Sequence, residues 1–157
     1  MWAALQHAGW VETLATSRPL FGLVLVVHYS AVFLTVGTIV LVDLRILGLA
    51  ARHHTLSALA GQLRRWMWIA CGALIVSGFL LFTVLAGSYA AATPFRLKVL
   101  VVVLAVLSAL CIERMVPKWD RAPVMPLPAR LAALVSIVLW LGAILVSVEV
   151  PALTGLG

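Results

Sequence analysis

The sequence contains little charge and few cysteines. Only 10% of its 157 residues are Asp, Glu, Lys or Arg, and 64% are hydrophobic. Soluble domains average about 25% charged and about 45–50% apolar residues. The scarcity of charge excludes an ordinary soluble domain and predicts an integral membrane protein. Cys71 and Cys111 both lie inside apolar runs, which argues against a disulfide framework.

Motifs for several kinds of chemistry are also missing. The sequence has no Gly-rich phosphate loop, no Ser–His–Asp set and no paired carboxylates, so nothing in it favours hydrolysis. The net charge of +6 does not indicate nucleic-acid binding, because the basic residues stand at the ends of apolar runs. The first 18 residues are mixed in character and lack a basic n-region. We therefore expect no cleaved secretory signal.

Four apolar runs are long enough to cross a membrane as helices, for which about 20 residues are needed. Pro19 and Pro94 suit the first turns of the first and third helices. The long uniform runs do not alternate, which excludes a β-barrel. The predicted fold is all-α, an integral membrane four-helix bundle that forms a single transmembrane domain over 1–157. The predicted spans are about 19–47, 65–90, 94–116 and 130–150.

Lys and Arg are distributed unevenly around these spans. Eight of them flank the first and third connections, and three lie on the other side. The positive-inside rule then puts both termini outside, in the periplasm, and the two basic connections in the cytoplasm of a bacterial inner membrane. Trp2 and Trp10 fit a short N-terminal amphipathic segment on the outer surface.

His28 interrupts the apolar run of span 1. It lies nine residues past Pro19, about 13 Å along a helix and so in the outer half of the membrane. Thr35 shares its helix face, and Asp43 lies about 60° round the helix, so we expect this polar stripe to face the bundle. His28 is either a core residue that donates a hydrogen bond to a neighbouring Ser, Thr or carbonyl, or an axial ligand or proton-transfer group.

Span 3 is short of uncharged residues. Only 14 of them, Val99 to Ile112, separate Lys98 from Glu113, and they cover about 21 Å of an apolar core about 30 Å thick. Lys98, Glu113 or both must therefore enter the hydrocarbon zone. Either they snorkel to the two interfaces, or Lys98 faces the bundle and contacts a bound group or Glu149 of span 4.

Asp43 also needs a partner in another helix. It cannot pair with Arg45, because residues i and i+2 point to nearly opposite sides of a helix. We expect Asp43 to form an ion pair that ties helix ends together, with Arg64, Arg65 or Arg114 as the base.

Two Met–Cys pairs stand near the predicted cytoplasmic ends of spans 2 and 3. Met67 and Cys71 are four residues apart, as are Cys111 and Met115, and the two pairs could face each other. Thiolate and thioether ligands select Cu(I). These four residues are therefore either ordinary core and surface side chains or a copper site.

The segments "HYSAVFLTVGTIVLVDLRILG", "WMWIACGALIVSGFLLF" and "PFRLKVLVVVLAVL" resemble a bacterial family of four-helix membrane proteins of unknown function. That family looks related to the copper-resistance D membrane proteins and, more distantly, to the membrane protoporphyrinogen oxidase that carries haem b. The resemblance covers roughly residues 20–116. His28, Gly37, Arg45 and Lys98 match the histidine, glycine, arginine and lysine of the oxidase pattern.

The resemblance implies that His28 is an axial haem ligand. It also implies that Lys98 and Arg96 lie near the other face of the haem or near its propionates, and we place Glu149 at the same outer site. No second histidine lies within a predicted span, which excludes a bis-histidine haem inside one chain. A homodimer could bring two His28 side chains together.

We therefore predict a haem-b-binding redox or electron-transfer module with its site in the outer half of the bundle. Quinone or another redox partner would exchange electrons with it, and the lipid bilayer surrounds it. Whether the chain is an enzyme stays open. Two alternatives remain, a cofactor-free accessory subunit and a copper-handling or copper-transport protein that uses Met67, Cys71, Cys111 and Met115.

Overall fold

The described part of the chain contains four long helices and two short ones. The computed structural model describes the backbone of residues 6–154 and the side-chain burial of residues 6–147. The helices are α1 (Gly9–Thr16), α2 (Arg18–Ile46), α3 (Leu56–Val84), α4 (Ala86–Ala91), α5 (Thr93–Asp120) and α6 (Leu127–Thr154).

The four long helices are each long and apolar enough to cross a membrane, with mean hydropathies of 2.1 to 2.5 over their most apolar stretches. Only 17% to 28% of each stretch is buried inside the molecule. Most of the apolar surface therefore faces outward, which suits a chain dissolved in lipid instead of water. The prediction of an all-α fold with four such helices is confirmed, and the fold is compatible with a four-helix membrane bundle.

The C-terminal end of α2 is closed by a glycine. Gly48 has a φ of 76°, which a residue without Cβ adopts at little cost. The N–H of Leu49 donates to the carbonyl of Leu44 at 2.8 Å, and the N–H of Gly48 donates to the carbonyl of Arg45 at 3.1 Å. This pair of bonds is a Schellman motif, and it satisfies carbonyls that the helix end would otherwise leave unpaired.

The N-terminus of α3 is capped twice. The hydroxyl of Thr55 accepts the N–H of Ala58 at 3.2 Å, and Oδ1 of Asp120, at the end of α5, accepts the N–H of Leu56 at 2.9 Å. Two of the first amides of the helix are therefore satisfied. The second bond also joins the start of α3 to the end of α5.

The bounds of α3 differ from the predicted second span, 65–90. The helix begins nine residues earlier, at Leu56, and ends at Val84. The early start follows from the cap at Thr55 and from the complete burial of Leu56. The helix ends because Leu85 has φ −128° and ψ 35°, outside the helical region, and the chain then forms α4.

The core lies toward one end of the bundle. We call this the loop end, because it carries the connections 47–55 and 121–126; the terminal end carries α1 and α4. The first buried cluster lies at the loop end and comprises Ile46, Leu56, Ile112, Val116, Trp119, Ala129 and Ala133. A second cluster comprises Ile39, Met67, Ala105, Ala109 and Trp140.

The helices pack as two hairpins. α2 lies most closely against α3, and α5 lies most closely against α6; contacts between α2 and α6 and between α3 and α5 join the pairs. Residues 18–30 of α2 and 93–104 of α5 include no buried residue. The terminal half of the bundle is therefore less enclosed along these two helices than the loop half.

The terminal end also carries α1 and a stack of aromatic rings. Val11 and Leu14 of α1 are buried where it contacts α2 and α3. The ring of Phe95 stacks on Phe82 and Tyr89, with centroid distances of 5.1 Å and 5.4 Å, and so packs the start of α5 against α3 and α4. Of the two tryptophans assigned to an amphipathic segment, Trp10 is exposed, and Trp2 lies outside the described residues.

Candidate functional site

His28 lies in the less enclosed half of the bundle and is half-buried on α2. Its Nδ1 is 3.0 Å from the hydroxyl oxygen of Ser77 on α3. That hydroxyl donates its one hydrogen to the carbonyl of Ala73 at 2.6 Å, so it acts as the acceptor toward His28. These bonds indicate that Nδ1 carries the proton. A neutral His28 then has an unprotonated Nε2. The backbone of Leu74 is a further hydrogen-bond partner of the ring.

The imidazole of His28 is held close to the backbone of α3. A Cβ placed on Gly78 would lie 3.2 Å from Cε1 of the ring, which is a tight contact. Tyr29 meets the ring edge-on, with centroids 6.0 Å apart. The rotational position of α3 therefore determines where the ring of His28 sits.

Lys98 of α5 lies close enough to His28 for their charges to interact. It is half-buried, and no residue within the described part of the chain forms a hydrogen bond or ion pair with it. The side chain of Glu149 lies outside the described residues, so the expected contact between Lys98 and Glu149 stays a prediction. The fold brings His28 and Lys98 together from two helices that are distant in the sequence.

Arg96 binds the backbone of α4. Its Nε and one terminal nitrogen donate to the carbonyl of Ala90 at 3.2 Å and 3.1 Å, and its side chain is exposed. These bonds hold the guanidinium at the end of α4, on the terminal surface of the bundle.

A second polar group lies in the loop half, around Glu113 of α5. The indole N–H of Trp68 donates to Oε2 of Glu113 at 2.8 Å, and Nε of Arg64 lies 3.0 Å from Oε1. Arg64 is well exposed, at 68%, whereas Glu113 is 25% exposed. The short third span predicted a partly submerged Glu113 but not its two partners from α3.

Asp43 lies beside this group but does not join it. The residue is only 1% exposed, and neither carboxylate oxygen has a hydrogen-bond partner among the described residues. Arg64 pairs with Glu113 instead, so the expected ion pair of Asp43 is wrong. From α6, Ser136 faces the carboxylate, although its hydroxyl does not reach hydrogen-bonding geometry.

A cavity of about 30 Å³ adjoins Asp43 between α2, α3 and α5. Arg64 and Glu113 also line it, and the other lining residues are apolar. A space of roughly 10–15 Å³ on this measure is enough for one water molecule. The cavity therefore has the size to hold one water molecule beside Arg64 and Glu113, while both carboxylate oxygens of Asp43 are closed off from it.

The two Met–Cys pairs have different surroundings. Met67 and Cys71 are buried and line a smaller cavity of about 10 Å³. Cys111 is exposed, and Met115 packs against the loop-end cluster, so neither of them lines that cavity. Across residues 6–147, no three His, Cys, Asp or Glu side chains are grouped as a metal site.

Comparisons with known proteins add no family. No family model matches the chain, and no curated protein or solved structure matches it either. The resemblance to a bacterial membrane family therefore stays a prediction.

Proposed function

We propose that the chain is a haem-b-binding redox or electron-transfer protein of the bacterial inner membrane, with His28 as the axial ligand. The observation that carries the proposal is the hydrogen bonding of His28. Histidines that bind metals almost always donate the N–H of the other ring nitrogen to an oxygen acceptor, which fixes the tautomer and the ring orientation. The bond from Nδ1 to Ser77 is of this kind, and it leaves Nε2 as the ligand atom.

The surroundings of His28 suit an apolar cofactor with acidic groups. Lys98, whose charge acts on His28, supplies a cation that would pair with haem propionates. Apolar surface for the macrocycle would come from residues 18–30 of α2 and 93–104 of α5, none of which is buried. Arg96 and Glu149 complete the proposed set of residues at this end.

In this proposal His28, Ser77 and Lys98 each have a defined task. His28 would hold the iron, Ser77 would orient the imidazole and raise its basicity, and Lys98 would bind the carboxylates of the cofactor. A bound haem supplies one-electron redox chemistry, and quinone or a protein partner would take up the electron. A second copy of the chain is one source of a sixth ligand, since His28 has no histidine partner within its own predicted spans.

The proposed topology puts the terminal end outside. The eight Lys and Arg residues around the connections at the loop end support a cytoplasmic loop end under the positive-inside rule. In this arrangement α1 lies at the periplasmic surface, where an amphipathic segment carrying Trp2 and Trp10 would rest on the membrane.

The visible spectrum of the purified protein tests the haem proposal. We expect a Soret band that H28A abolishes, both in protein from haem-supplied cells and after titration with hemin. H53A is the matched control, because His53 is exposed in the connection between α2 and α3. K98M should keep the band but weaken hemin binding. A Soret band of unchanged position and intensity in H28A would contradict the proposal.

A copper protein is the second candidate, because Met67 and Cys71 share a buried cavity. A colourless protein that binds Cu(I) only while Cys71 and Cys111 are intact would favour it over haem. A protein that binds neither haem nor copper would leave the role of an accessory subunit without a cofactor.

A further inference from the structure

We infer that the cavity beside Asp43 is a proton-binding site, in which the carboxyl group of Asp43 takes up and releases a proton through water from the loop end. This site lies in the other half of the bundle from His28. The inference goes beyond the proposed redox function and does not depend on a haem.

Asp43 is buried without a hydrogen-bond partner among the described residues. An ionised carboxylate that is removed from water and left unpaired is strongly unfavourable, and such a group takes up a proton instead. Asp43 is 1% exposed and accepts no hydrogen bond from any described residue. Protonation would remove the charge and create an O–H donor. The hydroxyl of Ser136 faces the ionised carboxylate as a donor, and its lone pairs would accept from the new O–H.

Two other charged residues line the cavity beside Asp43. Arg64 from α3 and Glu113 from α5 line it, and they form an ion pair with each other. On the α6 side Asp43 faces Ser136, which is not titratable. Within the described part of the chain, Asp43 is thus the one charged residue lining the cavity that lacks a counter-charge.

The cavity beside Asp43 suits a proton better than a metal cation. Hard metal cations require several oxygen ligands, commonly six or more. The cavity is lined by only two carboxylates, Asp43 and Glu113, and Glu113 is already engaged by Arg64 and Trp68. A proton needs a single oxygen and a water molecule to deliver it.

The proton would reach Asp43 from the loop-end surface. Arg64 is exposed and Glu113 partly so, and both also line the cavity, so polar groups lead from the loop-end surface to Asp43. Both carboxylate oxygens of Asp43 are closed to water in this structure, so the side chain must first turn one of them toward the cavity. A hydronium ion there would then transfer one proton to that oxygen, forming its O–H bond and leaving water. Release is the reverse step, and neither direction requires an oxidant or a reductant.

Infrared difference spectra between acidic and alkaline pH, on the full-length protein in lipid nanodiscs, test the site. We expect a C=O band of a buried protonated carboxyl group that shifts in heavy water and is lost in D43N. E12Q is the matched control, since Glu12 is an exposed carboxylate on α1, and it should keep the band. A band that persists in D43N would overturn the inference.

Two further measurements keep the test decisive if D43N does not fold. S136A should shift the frequency of the band without removing it, because the acceptor facing the carboxyl group is lost; an unchanged frequency would count against the site. The band should stay unchanged when sodium chloride is added at constant pH. Disappearance of the band on this addition would show a cation site instead. H28A should retain the band, which separates this inference from the haem proposal.

The route has its own test. A60L places a larger side chain in the lining of the cavity and should slow the exchange of the Asp43 proton with heavy water. A58L, the same change at an exposed position of α3, should leave the exchange rate unchanged. Equal rates in the two variants would rule out delivery through this cavity.

Discussion

His28 and Asp43 are polar residues of the same helix in opposite circumstances. His28 is half-buried and has a hydrogen-bond partner at Nδ1, whereas Asp43 is enclosed and has none among the described residues. Their positions along α2 follow from counting residues in the sequence. Their partners do not, because Ser77 and Ser136 meet them only through the rotation of α3 and α6 about their axes, which depends on packing across the whole bundle.

Gly78 provides a test of how tightly His28 is held. Alanine is favoured over glycine inside a helix by up to about 1 kcal/mol, so G72A, where an added Cβ meets nothing within 4 Å, should stabilise the protein. G78A should gain less or become less stable, because its Cβ would press on the imidazole at 3.2 Å. Thermal unfolding in detergent of the two variants checks this, and an equal gain in both would contradict the tight contact.

Ser77 is the positioning residue for His28 in the haem proposal. S77A removes the acceptor for Nδ1–H and should weaken hemin binding by about 10- to 100-fold, the usual effect of losing such a partner of a metal ligand. The nitrogen NMR signals of His28 should also change, because the tautomer is no longer fixed. S108A is the control, since Ser108 bonds only within α5, and equal affinities in both variants would oppose the role of Ser77.

At the scale of elements, a few polar bonds at the loop end join α3 to α5, beside the apolar contacts of the two buried clusters. Asp120 caps the start of α3, and Glu113 binds two residues one turn apart on α3. The sequence showed four long helices, but the charges at Arg64 and Arg65 suggested too late a start for α3. The helix continues past them toward the loop end because their long side chains extend outward while Leu56 and Leu59 are buried.

The two bonds of Glu113 should differ in strength. W68F removes a half-buried hydrogen bond to a charged group, worth about 1.5–3 kcal/mol. R64Q removes an ion pair whose arginine is 68% exposed, and exposed pairs contribute about 0–1 kcal/mol. Unfolding free energies of both variants, each combined with E113Q in a double-mutant cycle, measure the two coupling energies.

A matched control is available for the arginine. Arg65 is exposed on the same helix turn and has no ion pair within the described residues, so R65Q should change the unfolding free energy by no more than R64Q does. A coupling energy for Arg64 as large as that for Trp68 would contradict the predicted difference between the two bonds.

At the scale of the whole molecule, composition alone was enough to predict the class. Sixteen charged residues among 157 and four long apolar runs leave no soluble fold in which such a surface would be stable. The concentration of buried residues in the loop half was not predictable, because small residues such as Ala129 and Ala133 become core only where four helices converge. The side of the membrane that each end of the bundle faces also stays a prediction, made from the distribution of Lys and Arg.

Labelling from one side of the membrane tests that topology. In a chain with Cys71 and Cys111 replaced by alanine, S88C on α4 should react with an impermeant maleimide in intact spheroplasts, because the terminal end is expected to be periplasmic. H53C, equally exposed but at the loop end, should react only after the membrane is opened. The reverse pattern would invert the proposed orientation.

The pairing of the helices as two hairpins has a consequence for biogenesis. Since α2 and α3 contact each other more than they contact α5 or α6, the first hairpin can form its main contacts before the second is synthesised. We expect the two hairpins to enter the bilayer in sequence and to join last, through the sparser contacts between α2 and α6 and between α3 and α5. Assembly then ends with the step that closes the cavity beside Asp43.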